Sequence, residues 1–577
     1  MHPYEPHEIA LTARNPYANA YTQVDVWVDL EGPGFSRRVY GFWRGADRFA
    51  VRVAATAPGT WHWHSGASVE DGGLAGHQGS FYAEPWREEE LQANPLRRGF
   101  LEPTPNGRAL QHPDGTPFFL LGDTWWSIGT WRYAWRAGGE DHGIGPDMGL
   151  KEMIGFRKGQ GYNCIAIIAA LPAWANDGRP ATIVADGISI RNAWQNLTTG
   201  SAKDMSDSKG RRPFQLPGKV PGYEDVFPDV DRINPAYFDE LDEKLTYLNS
   251  QGFVGFVEPT RRDHSMAWKK YYEWPESYAR FAHYIWARYG AHHVILSPIH
   301  LDYLGHSVPP EDYAEAIDLM LDRWGMPPYV KLISANPHES VRRNFGNARW
   351  LTLHMAGNGE RYHTSYDAWV GDDFRSEPPK PALNGEPHYA GWYDTRGGPL
   401  GGTPEDDLDL RSSMYGSVLC GGLAGHIYGA NGLWGGDVEP YAKYKMWEGI
   451  KFGSGAQLQY VRDFVLSLGL AYRDLVPHRE LVAPNETGPA AGFRGWAFAA
   501  RTDDLKHFLL YFEPAYRGEP VVGGATPSAA YAVKGFDPAT GEWLEWAGGQ
   551  VIADSGGRIR LPAPPSDRDL AVKLERE

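Results

Sequence analysis

Cysteine is nearly absent: only Cys164 and Cys420 occur in 577 residues. Both sit among apolar or small neighbours and read as buried free thiols, which argues against a structural disulfide or a zinc site. Basic stretches are also missing. The net charge is −16 and no basic-aromatic stripe interrupts the chain, so neither nucleic acid nor an anionic membrane is expected as a partner. No run of about 18 apolar residues offers a transmembrane helix. The N-terminal "MHPYEPHEIALTARNPY" lacks a basic segment followed by an apolar one. A cytoplasmic location is therefore expected, or a secreted or periplasmic one if a leader is removed. No Gly-x-Ser-x-Gly elbow supports a serine hydrolase, and the glycine-rich "HGIGPD" lacks phosphate-loop spacing.

Aromatic residues, in contrast, are abundant at 13%, including 23 Trp and 31 Tyr. Carbohydrate clefts use such rings as platforms for sugar C–H faces, although large β-rich cores consume them too. The length implies several domains, or fewer if one is a barrel. Residues 1 to about 86 alternate apolar and polar positions between glycine-rich turns, as in "TQVDVWVDLEG" and "GTWHWHSGASV", and predict a β-sandwich. Residues 480–577, with "RGWAFAART", "KHFLLYFEP" and "YAVKGFDPATGEWLEW", predict a second one.

Between about 98 and 475 the rhythm changes. Strand-like runs at 117–126, 163–174, 252–260, 292–302, 329–337, 349–357, 380–387 and 421–432 alternate with amphipathic helical segments. Near-continuous apolar strands suit a parallel sheet covered by helices, and eight such units predict a (β/α)8 TIM barrel. The expected architecture is thus a multidomain α/β chain, with a central barrel flanked by N-terminal and C-terminal β-sandwiches. The segment 172–235 is a long loop after the second strand, and loops of that length usually serve function.

Strand C-termini of such a barrel face one cavity. Those predicted here end in Asp123, Glu258, Asp302 and Glu386, with His426 and Tyr428 at the eighth. Two carboxylates facing one glycosidic bond make a glycosidase pair, and Asp302 and Glu386 come from opposite sides of the barrel. Pro387 holds Glu386 extended, and Gly385 leaves room for a sugar ring beside it. Each candidate has a plainer reading. Asp123 suits a cap, Glu258 an ion pair with Arg261 or Arg262, and His426 a core histidine. Trp125, Trp126 and Trp174 serve either packing or stacking. His300 and Asp302 form a possible metal pair, but no third ligand has matching spacing, so no metal or other cofactor is expected. In the N-terminal segment, Trp61 and Trp63 alternate along one strand and are candidates to rim the cleft.

The stretches "GTPFFLLGDTWW", "PALNGEPHYAGW" and "GGLAGHIYGANGLW" resemble the apiosidase-like glycoside hydrolases, family 140 and its relatives. The preceding "VYGFWRGADRFAVRVAATAPGTWHWHSG" resembles the sandwich module that often precedes their barrel. The resemblance implies a carbohydrate substrate and a strand-seven glutamate paired with a strand-four aspartate, here Glu386 and Asp302. From their places at or near predicted strand ends and in the loops that follow, Asp123, Trp125, Trp126, Trp174, Glu258, His300, His354, His426, Tyr428 and Trp434 are candidate substrate contacts. The family tends to carry Gly-Gly-Asp where this chain has His300-Leu301-Asp302, and Gln-Ser-Gly-His where it has His354-Met355-Ala356-Gly357. The expected activity is removal of a terminal apiose or another furanose such as arabinofuranose or galactofuranose. A carbohydrate-binding protein on a decayed barrel and a metal-dependent sugar isomerase or lyase are the alternatives.

Overall fold

A computed structural model describes residues 1–135, 143–171, 182–191, 203–357, 365–392, 399–485 and 494–577. Its centre is a parallel sheet of seven strands: β1 (Leu120–Thr124), β2 (Cys164–Ala170), β3 (Val254–Thr260), β4 (Val294–Leu296), β5 (His354–Ala356), β6 (Ala382–Asn384) and β7 (Gly425–Tyr428). The order is β4-β3-β2-β1-β7-β6-β5. The predicted strand at 329–337 forms no regular strand, yet it fills the gap between the sheet's two edges. Leu296 N donates to Leu332 O at 3.2 Å and Ser334 N to Leu296 O at 3.1 Å, while Leu353 N donates to Ile333 O at 3.1 Å. Isolated parallel bridges Leu296–Ile333 and His300–Asn336 continue the pairing. The result is TIM-barrel-like.

Helices α1 (Leu150–Gly159), α2 (Asp239–Ser250), α3 (Glu276–Tyr289), α4 (Pro310–Trp324), α5 (Pro404–Leu419) and α6 (Gly453–Leu466) cover the sheet. Strand side chains therefore divide between two cores. Leu120, Ala166, Phe256, Leu332, Met355, Leu383 and Ile427 pack inside the sheet's curve. Leu121, Ile165, Val257, Ile333, Ala356 and Tyr428 pack outward under the helices.

The N-terminal residues form two antiparallel sheets. One contains Phe35–Tyr40, Val26–Gly32, Gly59–Ala67 and Gln78–Ala83; the other contains His7–Thr12, Arg48–Val53 and Phe42–Gly45. Their shared core includes Val28, Leu30, Val51 and the fully buried Trp61, with Trp63 packed at its edge. The expectation that these tryptophans rim the cleft is corrected, because strand alternation turns them into their own core. The unit sits against the outer helices and the N-terminal end of the barrel: Ala54 N donates to Tyr329 Oη at 3.1 Å, and His293, just before β4, lies 3.1 Å from Tyr4 O. The C-terminal strands Ala497–Thr502, His507–Phe512, Ala530–Phe536 and Leu570–Arg576 belong to one antiparallel sheet. It docks on α5, where Arg411 makes a two-pronged ion pair with Asp569 at 2.8 and 3.0 Å.

The N-terminal docking turns on one buried carboxylate. Asp242 in α2 accepts from Arg288 at 2.9 and 2.8 Å, and also pairs with Arg52 of the N-terminal unit. Burial raises the Asp242 pKa, but Arg288 and Arg52 outweigh it and hold the group well below the usual carboxylate range. Removing this charge leaves the two buried guanidiniums with only the more exposed Glu8 and Asp239 as carboxylate partners. Asp242→Asn should therefore cost roughly 3–5 kcal/mol in denaturant unfolding. A depressed folded pKa means that the wild-type contribution is complete above about pH 4 and fades as pH falls further. An unchanged unfolding midpoint in the variant, or the same acid sensitivity, would show that the pair does not hold this interface.

Candidate active site

At the C-terminal end of the parallel strands three carboxylates converge. Glu258 lies two residues before the end of β3, Asp302 follows β4 and Glu386 follows β6. Nε2 or Nδ1 of His300 and one oxygen each of Asp302 and Glu386 lie within 4.8 Å of one another. Glu386 is 9% exposed and Glu258 is fully enclosed.

Each acid is held differently. Tyr389 Oη donates to Glu386 Oε1 at 2.7 Å, and Trp126 Nε1 donates to Tyr389 Oη at 3.2 Å. Gly357 crowds the other side, where an added Cβ would stand 3.2 Å from Glu386 Cβ and 3.7 Å from Asn336 Oδ1. Burial raises the Glu386 pKa, offset in part by Tyr389, Asn336, Arg261 and Arg262. Asp302 receives Arg261 Nη2 at 2.9 Å and also pairs with Arg262. Its φ of 41° is unusual for a residue with a side chain, and the double ion pair compensates the strain. Glu258 bonds to His300 Nδ1 and accepts Asn336 N at 3.2 Å. Burial and the nearby Glu386 raise its pKa well above the ordinary value. Burial, Arg261 and Arg262 push that of His300 well below. Buried like charges cannot all ionise, so the acids are driven apart in protonation.

One wall is aromatic. Tyr389, Trp392 and Trp434 stand with ring centroids 5.9–6.3 Å apart, and Trp126 sets its edge against His300 at 4.5 Å. Trp126, His300 and Trp434 thus join the acids, as does Glu258, whose partner is His300 rather than the expected arginines.

Several other expected contacts lie on the helix side of the sheet. Asp123 is fully buried and accepts Arg157 Nε at 2.7 Å, Trp125 Nε1 at 2.9 Å and its neighbour's Thr124 N at 2.9 Å. Trp125 stacks on Tyr133, and Tyr428 packs in the same outer core. His354 bonds through Nδ1 to Asp373 O at 3.2 Å. His426 pairs in register with Leu121 and Asn384, and burial lowers its pKa to about 3. The strand period of two gives these residues to packing instead of substrate. Gly385 makes room for Met355, whose Cε would be 2.2 Å from an added Cβ, instead of for a sugar. Trp174 lies outside the described residues.

The residues not anticipated are Tyr389, Asn336 and Trp392. The spacing Glu386-Pro-His-Tyr389 offered a signal for the first; no linear signal marks Asn336. Glu386 also supplies the third donor that the sequence spacing did not offer to His300 and Asp302. The donor set suits a divalent ion poorly, because Asp302 already faces two guanidiniums that repel a cation.

A TIM-barrel-like sheet with paired acids and an aromatic wall at its C-terminal mouth has the makings of a glycoside hydrolase site. The catalytic-domain model of the apiosidase-like family matches residues 104–471, and a domain of unknown function matches residues 1–68. The chain therefore belongs to the apiosidase-like family and is a glycosidase. A candidate glycoside hydrolase from Bacteroides vulgatus superposes with a TM-score of 0.64 at 14% identity, covering 100% of this chain and 99% of its own. A second glycoside hydrolase gives 0.57 at 18% identity over 84% and 98% of the two chains. A family 5 glycoside hydrolase from the same organism gives 0.57 at 16% over 84% and 95%. These likenesses show the shared fold. No curated protein matches the chain.

Tyr389→Phe deletes the hydroxyl that stabilises ionised Glu386. The acidic limb of the kcat/KM profile should move to higher pH, and kcat/KM at neutral pH should fall about 10- to 100-fold. An unmoved limb would mean that Glu386 does not need this donor.

Proposed function

We propose that the protein is an exo-acting, retaining glycosidase that removes a terminal furanose, with Glu386 as nucleophile and Asp302 as general acid and base. The observation that carries the reading is the approach of Asp302 and Glu386 oxygens to within 4.8 Å at the strand ends. Retaining pairs sit about 5–5.5 Å apart, whereas inverting pairs stand about 6.5–9.5 Å apart to admit a water. The near-complete burial of Glu386 suits a chain end better than a chain passing through. Apiose, arabinofuranose and galactofuranose are the candidate sugars, and the family likeness supports the first.

In this reading Glu386 attacks the anomeric carbon while Asp302 protonates the departing oxygen. Water then releases the sugar, giving its proton to Asp302. Tyr389 keeps Glu386 aligned, and Trp392 and Trp434 offer apolar faces to the sugar or its neighbour. The chain divides into units at 1–86, 98–475 and 480–577, the outer two being accessory. The docking of the first on outer helices supports that role.

Asp302→Asn should slow cleavage of glycosides with poor leaving groups by about 10²–10⁴-fold and largely spare activated aryl glycosides. NMR of the first-formed sugar should show retained configuration. Equal losses on both substrate types in a folded variant, or an inverted product, would overturn the assignment.

A further inference from the structure

We propose that Glu258 and His300 form a proton line that loads Asp302, with the proton for the leaving group stored on the buried Glu258. The inference rests on Asp302 being the acid. Its geometry is a continuous row. Glu258 Oε2 meets His300 Nδ1 in a hydrogen bond, and His300 Nε2 faces Asp302 Oδ2 at 3.5 Å. Parallel bridges Arg261–His300 and His300–Asn336 fix the histidine between its neighbours, and Trp126 closes on its ring. Glu258 and His300 have almost no exposure, so water does not readily exchange protons with the inner end.

The row answers a difficulty in the site. Asp302 is paired with Arg261 and Arg262, which favour its carboxylate, whereas a general acid must carry a proton. Glu258 is the group whose environment favours the neutral acid, and His300 is kept from becoming an imidazolium. A neutral imidazole passes a proton without ever being charged. Glu258 gives its carboxyl proton to Nδ1 as Nε2–H passes to Asp302 Oδ2. Glu258 becomes a carboxylate, His300 changes tautomer and Asp302 becomes the acid. Asp302 then protonates the leaving oxygen as the C1–O bond breaks and the Glu386–C1 bond forms. In the second half, water attacks C1, the Glu386 ester bond breaks, and the water's proton returns through Asp302 and His300 to Glu258.

The trigger is electrostatic. The negative Glu386 is the chief charge opposing ionisation of Glu258. When Glu386 becomes an ester that opposition vanishes, so the charge lost at one acid reappears at the other. Among the described residues, Arg261, Arg262 and Asp263 beyond β3, Asp302, and Tyr278 from α3 are the other charged or titratable groups acting on Glu258 and His300.

The test uses the full chain and a matched pair of alkyl and activated aryl glycosides that the wild type cleaves. Glu258→Gln keeps the shape and removes the stored proton. Its kcat/KM should fall at least about 100-fold on the alkyl substrate and little on the aryl one. The basic limb of its pH profile should move, and the Glu258→Gln/Asp302→Asn double variant should be no slower than Asp302→Asn alone. In wild-type enzyme, ¹⁵N NMR should find His300 neutral with Nε2–H, switching to Nδ1–H once Glu386 carries a trapped fluorosugar. Equal losses on both substrates, an unmoved pH profile, an imidazolium at His300 or an unswitched tautomer would overturn the line. If Asp302→Asn is leaving-group selective and Glu258→Gln is not, the line alone fails. If Asp302→Asn is not selective, the acid assignment fails with it. The NMR measurement decides the matter even if Glu258→Gln does not fold.

Discussion

A side chain on a β-strand has two faces to choose from, and in a sheet covered by helices one face is the site and the other is packing. That constraint decides the chemistry of this protein. Glu258 shares the parity of Val254 and Phe256, so it points inside the sheet's curve. Asp123 shares the parity of Leu121, so it points outward and becomes the buried partner of Arg157. Two carboxylates that look alike in the sequence thus receive opposite assignments from a shift of one residue.

The inward acids create a second constraint. Glu258, Asp302 and Glu386 are too close and too enclosed to be ionised together without compensation. The compensation is uneven: two arginines for Asp302, a tyrosine hydroxyl for Glu386, and a neutral histidine with a backbone amide for Glu258. A two-carboxylate reaction needs such asymmetry, since one group must attack as an anion while another delivers a proton. Charge also organises the periphery. Asp242 and Asp569 anchor the β units to the barrel helices through Arg52, Arg288 and Arg411.

Much of this was legible in the sequence. Apolar runs alternating with amphipathic segments specified the parallel sheet, and acids closing those runs marked its C-terminal rim. Glu386 was visible because a lone carboxylate between glycine and proline ends an apolar strand. Parity was harder to see. The runs around Asp123, His354 and Tyr428 are apolar on both faces, so alternation left no mark in composition, and strand-end position suggested the cavity for all three. The fifth stave was read as a strand because 329–337 is apolar; only its bridging hydrogen bonds are regular. Asn336 was not legible, since its position depends on pairing with His300, and neither was the transfer of Arg261 and Arg262 from Glu258 to Asp302, which arises from the loop after β4.

The proposed reaction passes through a covalent bond between Glu386 and the sugar. The direct measurement is peptide mass spectrometry after incubation with a 2-deoxy-2-fluoro furanoside bearing an activated leaving group, which slows release of the glycosyl-enzyme. The expected result is one added sugar per chain, carried by the peptide that contains Glu386 and lost when turnover is restored by an acceptor. A label on Asp302 or Glu258, or hydrolysis of an active natural substrate with inversion and no trapped adduct, would contradict it.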